Sequence, residues 1–163
     1  MTKFSQPKVA KPIKKLYFPP LLQFMVYGIG GYIAAASFPA LAYQSTSLFW
    51  ASLPLGLVGI VILLISVRSF AKAGTTVNPI EPEKAEQLVT SGLYRCTRNP
   101  MYLGMLLVLL AAALAVQNIA ALGGPLFFMV SITHLQIIPE ERVLERTFGD
   151  AFAAYRQQTR RWL

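Results

Sequence analysis

Residues 91–105 read SGLYRCTRNPMYLGM. A glycine turn carries Arg95 and Arg98, meets the pair Asn99–Pro100, and runs directly into an apolar stretch. Asn suits a helix cap and Pro suits the first helical turn, so a helix starts here. No Asp, Glu, Lys or Arg follows until Pro139 has passed. The same silence covers residues 16–67. A helical crossing needs about 20 apolar residues, so each silent stretch has room for two spans and a tight turn. Only 13% of the 163 residues are charged, against roughly 25% in soluble domains, and 55% are hydrophobic. The expected fold is an all-α integral membrane protein with about four transmembrane helices, near 21–43, 48–67, 101–117 and 119–138.

Charge placement predicts orientation. All fifteen Lys and Arg lie in residues 1–15, 68–98 and 142–161. With four spans these segments share one side, and short basic segments favour the cytoplasm. The expectation is a multi-pass protein of a bacterial inner membrane with both termini cytoplasmic. Lys3, Lys8, Lys11, Lys14 and Lys15 make residues 1–20 a basic juxtamembrane tail, drawn to anionic headgroups rather than to nucleic acid. "PALA", ending at Ala42, imitates a signal-cleavage site, but the preceding run is longer than a signal core. Cys96 is the sole cysteine, so no disulfide within the chain is expected. Gly28, Gly30, Gly31, Gly56 and Gly59 suit close helix contacts, within or between chains.

The chain is expected to form a single domain over 1–163. Gly74, Pro79 and Pro82 punctuate a cytoplasmic loop over 69–100, with room for a short helix near 83–88. Pro139 ends the fourth span or starts its continuation. The segment 139–163 is expected to be a cytoplasmic amphipathic helix, kinked at Gly149, with Leu144, Phe148, Phe152 and Tyr155 as one apolar stripe facing lipid. Trp162 suits the membrane interface.

A helix N-terminus at Asn99–Pro100 offers unpaired N–H groups and a positive dipole end, suited to a carboxylate or phosphate. The apolar hairpin returns Glu140 and Glu141 to the same surface, where a carboxylate suits an ammonium or ribose hydroxyls. A ligand bearing carboxylate, ammonium and nucleoside matches both halves. Simple anchoring and salt bridging match the charges as well. No His or Cys pairing has metal-ligand spacing, so no metal is expected.

"LVTSGLYRCTRNPMYLG" followed by "PEERVLERTFGDAFAAYRQQTRRWL" resembles the isoprenylcysteine carboxyl methyltransferase family, including its bacterial members and the related phospholipid methyltransferases. The resemblance implies a membrane methyltransferase using S-adenosylmethionine, with S-adenosylhomocysteine as product. It places the cofactor against Glu86, Gln87, Leu88, Val89, Tyr94, Asn99, Pro100, Met101, Tyr102 and Glu140. Asn99 stands where the family has His, which removes a titrating group from that position. Gln136 stands where the prenylcysteine enzymes have Arg, which weakens the match to a carboxylate acceptor. Tyr102, His134 and Gln136 are the expected acceptor-side residues, and His134 is the chain's one neutral-range titrating side chain. Membrane lipids and a lipophilic or small-molecule methyl acceptor are the expected partners. Two other functions fit the architecture: a membrane reductase using a nicotinamide cofactor, and a non-catalytic relative binding lipid or a partner protein.

Overall fold

The computed structural model describes residues 18–72 and 88–163. Six α-helices and short 3₁₀ turns account for most of them, and there is no strand among the described residues. α1 is Pro20–Ser37, α2 Thr46–Lys72, α3 Pro100–Val116, α4 Gly123–Ile132, α5 Ile138–Phe148 and α6 Asp150–Gln158. The short helix expected near 83–88 falls almost wholly outside the described residues.

α2 packs along α3, and α1 packs on α4. Both contacts depend on missing side chains. A Cβ at Gly104 would stand 2.7 Å from the carbonyl oxygen of Gly59, and one at Gly124 would stand 2.6 Å from that of Tyr27. Backbone therefore meets backbone, as small residues allow in membrane helices. Of the glycines expected to mediate contacts, Gly31 and Gly59 do so within the chain, whereas Gly30 faces open space. The core is built from Tyr102, Met105, Leu109, Phe128, Ile132 and Ile137. Phe24 of α1 meets Phe128 edge-on at 6.4 Å. Gln23 is fully buried; its amide donates to the Phe18 carbonyl (2.8 Å) and its oxygen accepts from Ser131 (2.9 Å), so the polar group is satisfied.

The outer faces are apolar. Leu21, Ile29 and Ile33 on α1, Trp50, Leu57 and Leu64 on α2, and Leu126 and Phe127 on α4 are all exposed. A water-soluble monomer rarely leaves so much contiguous apolar surface uncovered. Two helical stretches, Thr46–Ser69 and Ile119–Phe148, have the length and apolarity of a span. α3 is apolar but has only 17 residues, about 25 Å at 1.5 Å per residue. Two candidate spans and a shorter apolar helix are thus fewer than the four full spans expected. Proline at the helix start and a left-handed Gln117 (φ 54°) at its end clip α3.

The fourth apolar stretch does not stop at Pro139. A π-turn at Thr133–Ile137, in which the Ile138 amide donates to the Thr133 carbonyl, carries α4 into α5. Proline lacks an N–H and its ring crowds the carbonyl four residues back, so a wider turn just before it relieves the clash. Gly149 (φ 51°) separates α5 from α6, at the expected break. α6 differs from expectation: Phe152 and Tyr155 are buried against protein rather than turned toward lipid. Trp162, partly buried, packs on the Tyr102–Met105 core.

Candidate functional site

Asn99 occupies the N-cap position of α3, but its side chain makes no capping bond. Its amide instead donates to the Arg161 carbonyl (2.9 Å). Thr97 also donates to that carbonyl (3.1 Å), and the Arg98 amide donates to the Arg160 carbonyl (2.9 Å). The chain's last residues therefore lie along the turn that starts α3, paired in a short parallel bridge between Thr97 and Arg160.

The two adjacent carboxylates have different surroundings. Glu141 is buried and takes two guanidinium groups: Arg98 at 2.8 Å, and Arg161 through Nη2 at 2.6 Å and Nε at 3.1 Å. The Glu141 hydrogen bonds raise the Arg161 guanidinium above its usual value. Arg98 is further occupied by the carbonyls of Arg156 (3.3 Å) and Thr159. Glu140, one residue earlier, is partly buried and has only neutral partners. Tyr102 Oη donates to Glu140 Oε1 at 2.9 Å, and Gln136 Nε2 donates to the same oxygen. Among the described residues Glu140 makes no ion pair, and its Oε2 has no partner.

Tyr94 completes the surroundings. It is buried at the 3₁₀ turn Gly92–Arg95, and its carbonyl accepts from Tyr155 Oη at 2.7 Å. Burial raises the Tyr94 phenol well above its ordinary value, with Tyr155 and the charge of Glu140 adding to the effect. Burial pushes the Tyr155 phenol up to about 12, against the pull of Arg98. Both stay neutral hydrogen-bonding groups over the physiological range.

The structure thus brings Tyr94, Tyr102, Gln136 and Glu140 to one place, with Asn99, Pro100 and Met101 at the adjoining helix start. Leu88 and Val89 are partly buried on the approach to the Tyr94 turn, while Glu86 and Gln87 lie outside the described residues. His134 is not brought in: it is exposed on the π-turn and makes no hydrogen bond among the described residues. Sequence reasoning passed over Glu141 as a binding partner of Arg98, and over Thr97, Thr159 and Arg161. The acidic doublet facing a basic ending was the available signal for the ion pairs. The carbonyl contacts leave no trace in side-chain type. Among the described residues no cluster of metal-ligating side chains occurs.

The chain is thus helical with apolar outer faces, and it holds one carboxylate locked by arginines beside a neighbour among neutral donors. The phospholipid methyltransferase family model matches residues 47–151, and the chain belongs to that family. An uncharacterized protein of Haemophilus influenzae is 46% identical over 63 residues, which are 39% of this chain and all of that protein. No solved structure matches the chain. The family is one of methyltransferases, so no finding favours the nicotinamide-dependent reductase.

Proposed function

We propose that the chain is an integral membrane methyltransferase that uses S-adenosylmethionine and acts on a lipophilic or small acceptor at the cytoplasmic face of a bacterial inner membrane. In this reading all four apolar stretches cross, both termini are cytoplasmic, and the basic segments hold that side by attraction to anionic lipid. The carrying observation is Glu140: a carboxylate held by Tyr102 and Gln136, with Oε2 uncommitted and no cation beside it among the described residues.

These residues fit the cofactor. An acceptor oxygen without a cation suits an ammonium or ribose hydroxyls, and the dipole end of α3 at Pro100 and Met101 suits a carboxylate. When bound, S-adenosylmethionine supplies a methyl group already activated on a sulfonium. The chain's own work is placement and exclusion of water, which for a displacement at carbon means a nucleophile held about 3–3.5 Å from the methyl. Tyr102 and Gln136 fix the orientation of Glu140. They are assigned to the acceptor side, together with His134, which stands exposed on the π-turn and makes no hydrogen bond with them. Glu86, Gln87, Leu88, Val89, Tyr94 and Asn99 are assigned to the cofactor side.

Calorimetry on the purified protein with S-adenosylhomocysteine tests the reading. Saturable binding is expected, and Glu140→Ala should weaken it about tenfold or more, since hydrogen bonds to a charged group contribute about 1.5–3 kcal/mol. Absence of heat at millimolar ligand, or unchanged affinity in the variant, refutes it. Methyl transfer from labelled cofactor into extracted lipid then separates an enzyme from a relative that only binds.

A further inference from the structure

Two arginines precede the α3 helix start. Arg98 is fully engaged by Glu141 and by carbonyls of the C-terminal segment. Arg95 is exposed and makes no hydrogen bond or ion pair among the described residues. It lines an open recess of about 350 Å³ together with Thr90, Ser91, Tyr155, Gln158 and Thr159. That volume falls within the roughly 300–1,000 Å³ of small-molecule sites.

The lining has one guanidinium, several hydroxyls, one amide and no carboxylate. Tyr155 adds no negative charge, because its hydroxyl is committed to the Tyr94 carbonyl and its phenol stays protonated. α6 ends at Gln158, and bare carbonyls at a helix C-terminus repel an anion. Here the Arg98 guanidinium donates to the carbonyls of Arg156 and Thr159, which offsets that repulsion. Arg160, next in the chain after Thr159, is exposed and also makes no ion pair among the described residues. The described lining therefore carries positive charge only, and its donors are those that recognise an oxyanion with several acceptor oxygens. Neither Tyr102, Gln136 nor Glu140 lines this space.

We propose that the Arg95 recess is a second site, which binds the phosphate oxyanion of a mono- or diester between the Arg95 guanidinium and the hydroxyls of Thr90 and Ser91. It lies at the same end of the helices as Glu140, where the apolar stretches give way to charged chain. Lipid headgroup phosphates reside at that level, and a free phosphate compound offers the same chemistry. The site does not depend on methyl transfer.

The test uses the full chain in an uncharged detergent at fixed ionic strength, titrated with inorganic phosphate and, separately, with dihexanoyl phosphatidylglycerol. Saturable binding of at least one probe is expected, with about tenfold weakening in Arg95→Gln, partial recovery in Arg95→Lys, and a smaller loss in Ser91→Ala. Binding of the lipid alone identifies a headgroup as the source; equal binding of inorganic phosphate identifies a free compound. Three results overturn the site: neither probe saturates, Arg95→Gln binds as the parent does, or Arg142→Gln loses as much as Arg95→Gln and so reveals only net charge. S-adenosylhomocysteine affinity should be unchanged in Arg95→Gln; an equal loss there would make the recess part of the cofactor site and overturn its separate standing.

Discussion

The α3–α4 pair ends in a polar cluster at each tip, and the two clusters are built on different terms. At the hairpin tip Asn118 is buried; its amide donates to the carbonyls of Ala35 (3.1 Å) and Phe38 (3.0 Å), and its oxygen accepts from Ala120 N (2.9 Å). Gln117 beside it accepts from the amides of Tyr43 and Ser45. Every one of these bonds ties side chain or backbone to backbone, and no charge is involved. At the open tip the groups are ionic, and only one of two neighbouring carboxylates is neutralised. Saturated polar groups mark a joint that holds chain segments together. An acidic oxygen left without a cation among the described residues is the place where the proposed function puts the cofactor.

The sharpest break in that comparison is Glu141→Ala. It leaves the Arg98 guanidinium, only 9% exposed, without its carboxylate. Removing one partner of a buried pair costs about 3–5 kcal/mol. Arg161 is 37% exposed and adds little to that figure, because water screens it. A loss of about 3 kcal/mol in unfolding free energy is expected, with the C-terminal segment released from the α3 start. Proteolysis near residues 159–163 would report that release. A variant as stable and as resistant as the parent would show that the ion pairs are incidental.

Asn118→Ala comes next. The Ala35 carbonyl and the Ala120 N–H lose their partner, while the Phe38 carbonyl keeps the Leu41 amide, and an unsatisfied buried group costs about 1–3 kcal/mol. The hairpin tip should lose about 2 kcal/mol in a denaturation series, while S-adenosylhomocysteine affinity at the opposite tip stays as it was. A matching loss of affinity would mean that the two tips are coupled and that the contrast between them is too simple.

Much of this contrast was legible before any coordinates. The charge-free stretches located the helices, Asn99–Pro100 located the start of α3, and Gly149 located the break before α6. The charge-free hairpin of the third and fourth stretches predicted that Glu140 returns to the surface where α3 starts. What escaped reading had physical reasons. The Thr133–Ile137 π-turn is a backbone response to Pro139 and leaves the apolar pattern unchanged. The C-terminal segment is gripped through its carbonyls, which every residue possesses. Trp162 and the Phe152–Tyr155 stripe are amphipathic in either setting, against lipid or against protein, so periodicity could not choose between them. Span number was read from the lengths of charge-free chain, but turns consume part of that length.

The finest probe of the open tip is Tyr155, whose hydroxyl joins α6 to the Tyr94 turn. Its phenol is raised from 10.0 to about 12, mainly by burial. A group whose folded value lies above its unfolded value contributes stability that is complete below the unfolded value and fades as pH rises toward the folded one. Stability should therefore hold steady up to about pH 10 and fall between about pH 10 and 12. Tyr94 shifts in the same direction and steepens the same alkaline fall. Tyr155→Phe removes one neutral hydrogen bond, about 1 kcal/mol at neutral pH, and should make the alkaline fall shallower. Thermal unfolding of both proteins across pH 8–12 decides it. Parallel curves, displaced but equally steep, would mean that this phenol ionises as freely in the fold as in the unfolded chain, and that α6 does not seal the Tyr94 turn from water.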